Sequence, residues 1–160
     1  MRDDLKGAAV RLIEDIQAAF PALRMRVDSE DRNVDVSVEI PSQAGLDFRV
    51  NLNLQNRDEL HLSAGDAFWC SWFLSSDSAV VQRYRNAVTG LLSGRHRIVE
   101  YRHWRLTIGA DLQEPTAGGW KTIAKSRRGL WPVRWGARRR VVQNVGTVQQ
   151  GVGADERRHA

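Results

Sequence analysis

From Leu23 to Leu62 the hydrophobic pattern repeats every second residue, and this alternation limits the fold more than any other feature of the chain. Leu23, Met25 and Val27 alternate with Arg24, Arg26 and Asp28; Val34, Val36, Val38 and Ile40 alternate with Asn33, Asp35, Ser37 and Glu39. Leu46, Phe48, Val50, Leu52 and Leu54 alternate with Asp47, Arg49, Asn51 and Asn53, and Leu60 and Leu62 resume the pattern around His61. Successive side chains of a strand point to opposite faces, so each run predicts a strand with one apolar and one polar side. "SEDRN", "PSQAG" and "QNRDE" separate the runs and are rich in turn formers. Connections this short make neighbouring strands antiparallel. The outcome is a four-stranded meander whose apolar face needs cover.

Two amphipathic segments offer that cover. Leu5, Ala8, Leu12, Ile13, Ile16, Ala19 and Phe20 recur at helical spacing, with Asp3 and Asp4 at the start and Pro21 at the end. Val80, Val81, Tyr84, Val88, Leu91 and Leu92 form a second stripe, preceded by capping candidates at Ser75 to Ser78 and closed by Gly94. Strand patterns return in "HRIVEYR", "RLTIGADL" and "GWKTIAKS", with "QEPTAGG" as the loop between the last two. The expected fold class is α+β, in the order α-ββββ-α-βββ. Both helices pack on one face of a mostly antiparallel sheet.

The regular patterns stop near Ser126, which divides the chain into a single α+β domain over residues 1–126 and a basic, Trp-containing extension over 127–160. Charge follows the same division. Residues 1–120 carry 14 Lys and Arg against 17 Asp and Glu, whereas residues 121–160 carry 10 against 2. The excess of positive charge therefore belongs to the last quarter of the chain, and any argument from charge to nucleic acid belongs there too. No apolar run approaches the ~20 residues of a membrane-spanning helix. The first residues lack the continuous apolar core of a secretory signal. Cys70 is the only cysteine, which leaves no internal disulfide to suggest an oxidising compartment. A cytoplasmic location is expected.

The stretch "HLSAGDAFWCSWF", His61 to Phe73, gathers a histidine, an acid, a thiol and several aromatics, and invites a reading as a Cys/His/Asp site. Parity speaks against it. His61 falls on the polar side of its strand, while Cys70 lies in an aromatic run where a small buried thiol is the ordinary occupant. A turn at Gly65-Asp66 would still make His61 and Cys70 cross-strand neighbours. The stretch is expected to join the meander to the second helix, with Trp69 or Trp72 left for a partner.

The pattern holds no P-loop, GxGxxG, GxSxG, HExxH or EF-hand loop, and neither a metal nor a cofactor is expected. The leading expectation is a non-catalytic protein-interaction module that binds a protein partner or itself. Small α+β immunity proteins and secretion chaperones have comparable element orders, an analogy of architecture only. The partner-binding candidates are Arg24, Arg26, Asp35, Glu39, Arg49, His61, Trp69 and Trp72. A first alternative is nucleic-acid binding through the extension, where Arg127, Arg128, Arg138, Arg139 and Arg140 are interleaved with Trp131 and Trp135. A second is a small enzyme that uses the polar sheet face.

Overall fold

The computed structural model describes residues 2–28, 34–56, 58–73, 78–127 and 136–145. Helix α1 spans Arg2–Ala19, so Asp3 and Asp4 fall in its first turn and Pro21 just past its end. Ala9, Leu12, Ile13 and Ile16 form its buried face. Strands β1 (Arg26–Asp28), β2 (Val36–Ile40), β3 (Val50–Gln55), β4 (Glu59–Ala64) and β5 (Phe68–Phe73) then form an antiparallel sheet in simple sequential order. On β2, β3 and β4 the alternating apolar residues all face the core, as the period of two requires.

This sheet departs from the sequence expectation in several places, and β3, for one, begins only at Val50 although its run begins at Leu46. Strand β1 is shorter than the run that predicts it, because at Arg24 a side chain replaces the neighbouring strand. The amide of Arg24 donates to Gln43 Oε1 at 2.9 Å, and Gln43 Nε2 donates to the Arg24 carbonyl at 3.1 Å. The sheet also has a fifth strand. Gly65, at φ +60°, opens a tight turn that brings Phe68 opposite Ala64, and β5 pairs with β4 as far as Phe73 opposite Glu59. Phe68, Cys70 and Trp72 face inward while Trp69 and Ser71 face outward. The outward Trp69 is itself hydrophobic and disguised the alternation.

Helix α2 (Ser78–Leu92) buries Tyr84, Ala87, Val88, Leu91 and Leu92. It ends at Gly94, whose φ of +72° suits the expected left-handed cap. Of the capping candidates, Ser75, Ser76 and Asp77 lie outside the described residues, and Ser78 is the first residue of α2. Arg85 of α2 reaches Asp15 of α1 in an ion pair on the surface.

Strands β6 (Arg97–His103), β7 (Leu106–Thr116), β8 (Gly119–Arg127) and β9 (Arg138–Val142) form a second antiparallel sheet in the order β8-β7-β6-β9. The expected loop at "QEPTAGG" is mostly strand. Pro115 lies in β7 opposite Trp120, beyond Gln113, which pairs with the first residue of β6. No strand on that side needs its missing N–H, so the proline is tolerated. Strand β9 comes from the stretch in which the sequence shows no sustained period. It pairs with β6 from Arg102 opposite Arg138 to Ile98 opposite Val142. Just after it, Asn144 is buried: Nδ2 donates to the Leu91 carbonyl at 3.0 Å, and Oδ1 accepts from the Asp47 amide at 2.9 Å.

The class is α+β, and the helix–strands–helix–strands order is the one expected, with one more strand in each half. The strands divide into two sheets. Strands β5 and β8 approach each other through a side chain, with Ser126 Oγ donating to the Ala67 carbonyl at 3.4 Å, rather than through a ladder. One hydrophobic core nonetheless joins all layers, since Ile98, Ala110 and Leu112 of the second sheet cluster with both helices and the first sheet. Among the described residues no helix is long and apolar enough to cross a membrane.

Candidate functional site

The outer face of the first sheet is a ladder of short polar side chains. Register places Asp28, Ser37, Asn53, His61 and Ser71 in one row and Arg26, Glu39, Asn51, Ser63 and Trp69 in the next. Within the rows, Ser37 Oγ donates to Asn53 Oδ1 at 3.0 Å and Asn51 Nδ2 to Ser63 Oγ at 3.3 Å. Arg26 and Glu39 form an exposed ion pair at 3.7 Å.

His61 is the centre of this face. Its Nδ1 is 3.1 Å from Ser71 Oγ and its Nε2 is 3.2 Å from Glu59 Oε2. The Trp69 indole stacks on the imidazole at 5.3 Å between centroids. On the opposite side of the sheet the Tyr84 hydroxyl donates to the His61 carbonyl at 2.9 Å. Burial raises the pKa of Tyr84 and keeps it a neutral donor. The expected parity of His61 holds, yet its side chain is buried, because Trp69 and the flanking polar groups cover it.

The two tryptophans part ways. Trp69 is 54% exposed, whereas Trp72 turns inward, packs on the core and meets Tyr84 edge-on at 5.4 Å. Cys70 stands opposite Leu62, not His61, and burial pushes its thiol pKa up, as for an inert structural cysteine. The cross-strand partner of His61 is Ser71, and neither Ser71 nor Glu59 is among the sequence candidates. The signal was available: a three-residue loop from Ala64 to Phe68 dictates that residues 61 and 71 face each other.

The remaining partner-binding candidates scatter. Arg24 is exposed beside Gln43, and Asp35 precedes β2 with its amide bonded to the Leu54 carbonyl at 2.8 Å. Arg49 instead lines a cleft of about 660 Å³ together with Asp47, Asp66, Glu100 and Arg140. Arg140, a nucleic-acid candidate, neutralises the buried Glu100 there at 3.7 Å. Arg139 lies over the Tyr101 ring at 5.9 Å, and Arg127 ends β8. Arg128, Trp131 and Trp135 lie outside the described residues.

A second unexpected feature sits at the β6–β7 turn. Trp104 and Arg105 alone connect His103 to Leu106, and Trp104 has φ +57°. A left-handed backbone costs a bulky residue roughly 1–2 kcal/mol, and glycine is usual at the first position of such a turn. Trp104 is nonetheless 91% exposed, so no core contact offsets the strain. Trp104 lines a hollow of about 350 Å³ together with Arg102, His103, Gly136 and Arg138. The turn escapes sequence reading because "HWR" holds none of the usual turn formers.

Among the described residues no group of three or more His, Cys, Asp or Glu is placed to hold a metal ion. No family model, no curated protein and no solved structure matches the chain.

Proposed function

We propose that this protein is a non-catalytic interaction module whose first sheet presents its outer face to a protein partner. The observation that carries the reading is Trp69. It is half-exposed, yet held flat on an imidazole that is itself fixed from both sides by Ser71 and Glu59. A large aromatic side chain that loses little freedom on binding is the usual anchor of a protein interface. The surrounding Asn, Ser and ion-paired residues suit a polar rim. Arg26, Glu39 and Trp69 carry the contact, with His61 buried under Trp69 as its support; Trp72 belongs to the core.

A photo-crosslinking amino acid at Asn51, in cells, tests this. Adducts with a defined protein or with a second copy are expected, and Trp69→Ala should weaken the isolated complex at least tenfold. A complex indifferent to Trp69→Ala would remove the anchor role.

The Ser71–His61–Glu59 chain also supports a second reading, as a small hydrolase. Hydroxyl, imidazole and carboxylate stand in the order of a nucleophile, base and orienting acid. Neither the hollow at Arg49 nor the one at Trp104 is lined by a member of this trio. A fluorophosphonate probe decides between them. The hydrolase reading requires labelling that Ser71→Ala abolishes, and the interaction reading expects none.

A further inference from the structure

The β6–β7 end of the second sheet combines features that the proposed protein interface does not use. Trp104 and Leu106 project there, 91% and 73% exposed. Arg102, Arg105 and Arg138 surround them, and among the described residues no carboxylate pairs with any of the three. Arg102 Nε is shut off from solvent and lacks a hydrogen-bond partner, and Arg102 lines the same hollow as Trp104. The chain has no Asp or Glu from residue 101 to 110 or from 115 to 154, and Glu100, two residues before Arg102 on β6, is paired with Arg140. Maintaining a strained, solvent-facing tryptophan beside an unneutralised pair of guanidinium groups makes sense when a ligand supplies both missing partners. Such a ligand would put an anion in the hollow and a flat apolar surface over the ring.

We propose that this end of the sheet binds single-stranded nucleic acid. A backbone phosphate enters the hollow between Arg102 and Arg138, with His103 at its side, and the neighbouring base stacks on Trp104. The pairing of one phosphate site with one adjacent stacking platform is the repeat unit of single-strand recognition. A duplex suits it less, because the bases of a duplex are already stacked on each other. A lipid surface suits it less as well. One indole and one leucine ringed by arginines offer little area for insertion, and stable anchoring needs more. The expected nucleic-acid role of the chain's last quarter thereby moves: Arg138 takes part, but its partners Arg102 and Trp104 come from the β6–β7 hairpin.

Fluorescence anisotropy of a labelled 20-nucleotide oligo(dT), titrated with the full chain at several salt concentrations, tests the site. Binding that weakens steeply with salt is expected. Trp104→Ala should lower affinity about tenfold, within the range for loss of one stacked base, and Trp104→Phe should restore most of it. Arg102→Gln and Arg138→Gln should each reduce the slope of log affinity against log salt by about 0.7, the loss of one phosphate contact. Lys121→Gln removes a cation held by Glu114 at 3.4 Å, near the other end of the sheet, and should change affinity less than about twofold on the same counterion argument. Trp104 makes no core contact, so Trp104→Ala should keep the wild-type thermal midpoint and serve as a folded control. Three results would overturn the proposal: no binding at low salt, oligonucleotide affinity indifferent to Trp104→Ala, or Trp104-dependent binding to phosphatidylserine vesicles without binding to the oligonucleotide.

Discussion

Gly90 and His96 show how one missing methyl group shapes the fold. The ring of His96 lies so close to α2 that a Cβ on residue 90 would fall 2.1 Å from its Nδ1. Alanine normally stabilises a helix interior by about 1 kcal/mol over glycine, but overpacking of this order costs about 1–3 kcal/mol. Gly90→Ala should therefore lower the urea midpoint, and adding His96→Ala should recover part of the loss. His96 itself is buried, and that burial, reinforced by Arg95, lowers its pKa; Glu114 and a backbone bond to Ala87 oppose the shift without cancelling it. The native state then binds a proton less readily than the unfolded chain. The His96 contribution to stability is full above the ordinary histidine value near 6.5 and falls as pH drops below it toward the lowered native value. Unfolding free energies measured between pH 7.5 and 5 should decline more steeply in the wild type than in His96→Gln. At this scale strand parity gave the side of the sheet on which His61 stands, and burial tendency gave the inward position of Cys70. Sequence reading failed for Gly90, whose reason is a ring contributed by the next loop.

Among the elements, β9 has the largest consequence. It lies past the point where sequence periodicity ends, and its hydrogen bonds go to β6. The residues around it also finish α2: Asn144 donates to the Leu91 carbonyl, and Gln143 Nε2 donates to the Gly94 carbonyl at 2.6 Å. These carbonyls at a helix C-terminus have no partner within the helix. Asn144→Ala should strand the Asp47 amide and leave the Leu91 carbonyl only its 3.2 Å bond from the Gly94 amide. With one orphaned group costing about 1–3 kcal/mol when buried, a loss of about 1–2 kcal/mol in urea unfolding is expected for this part-buried amide. By contrast, the exposed Arg85–Asp15 pair between the helices should contribute less than about 1 kcal/mol, and Asp15→Asn should be nearly silent. Strand β9 was illegible because three of its five residues are consecutive arginines on an exposed edge strand, and no inward–outward contrast reaches the sequence. Strand β5 was obscured for the opposite reason: apolar residues fall on both of its faces.

Across the whole molecule, both helices and both sheets share one hydrophobic core. A single cooperative transition follows, with far-ultraviolet and tryptophan fluorescence signals coincident in denaturant; separate midpoints would show that the sheets unfold independently. The tryptophans report from both sheets, with Trp69 and Trp72 on β5, Trp104 after β6 and Trp120 on β8. The sequence by itself determined the fold class, the first four strands, both helices and which side of the meander is polar. Those follow from side-chain periodicity, which is local and survives in one dimension. The tertiary structure alone decided that the nine strands among the described residues part into two sheets, that Ser71 and Glu59 bracket His61, and that Arg102, Trp104 and Arg138 line one hollow. Those depend on strand register and on contacts between residues far apart in the chain. Neither leaves a spacing signature, because many registers are compatible with the same alternation and only the packed core selects among them.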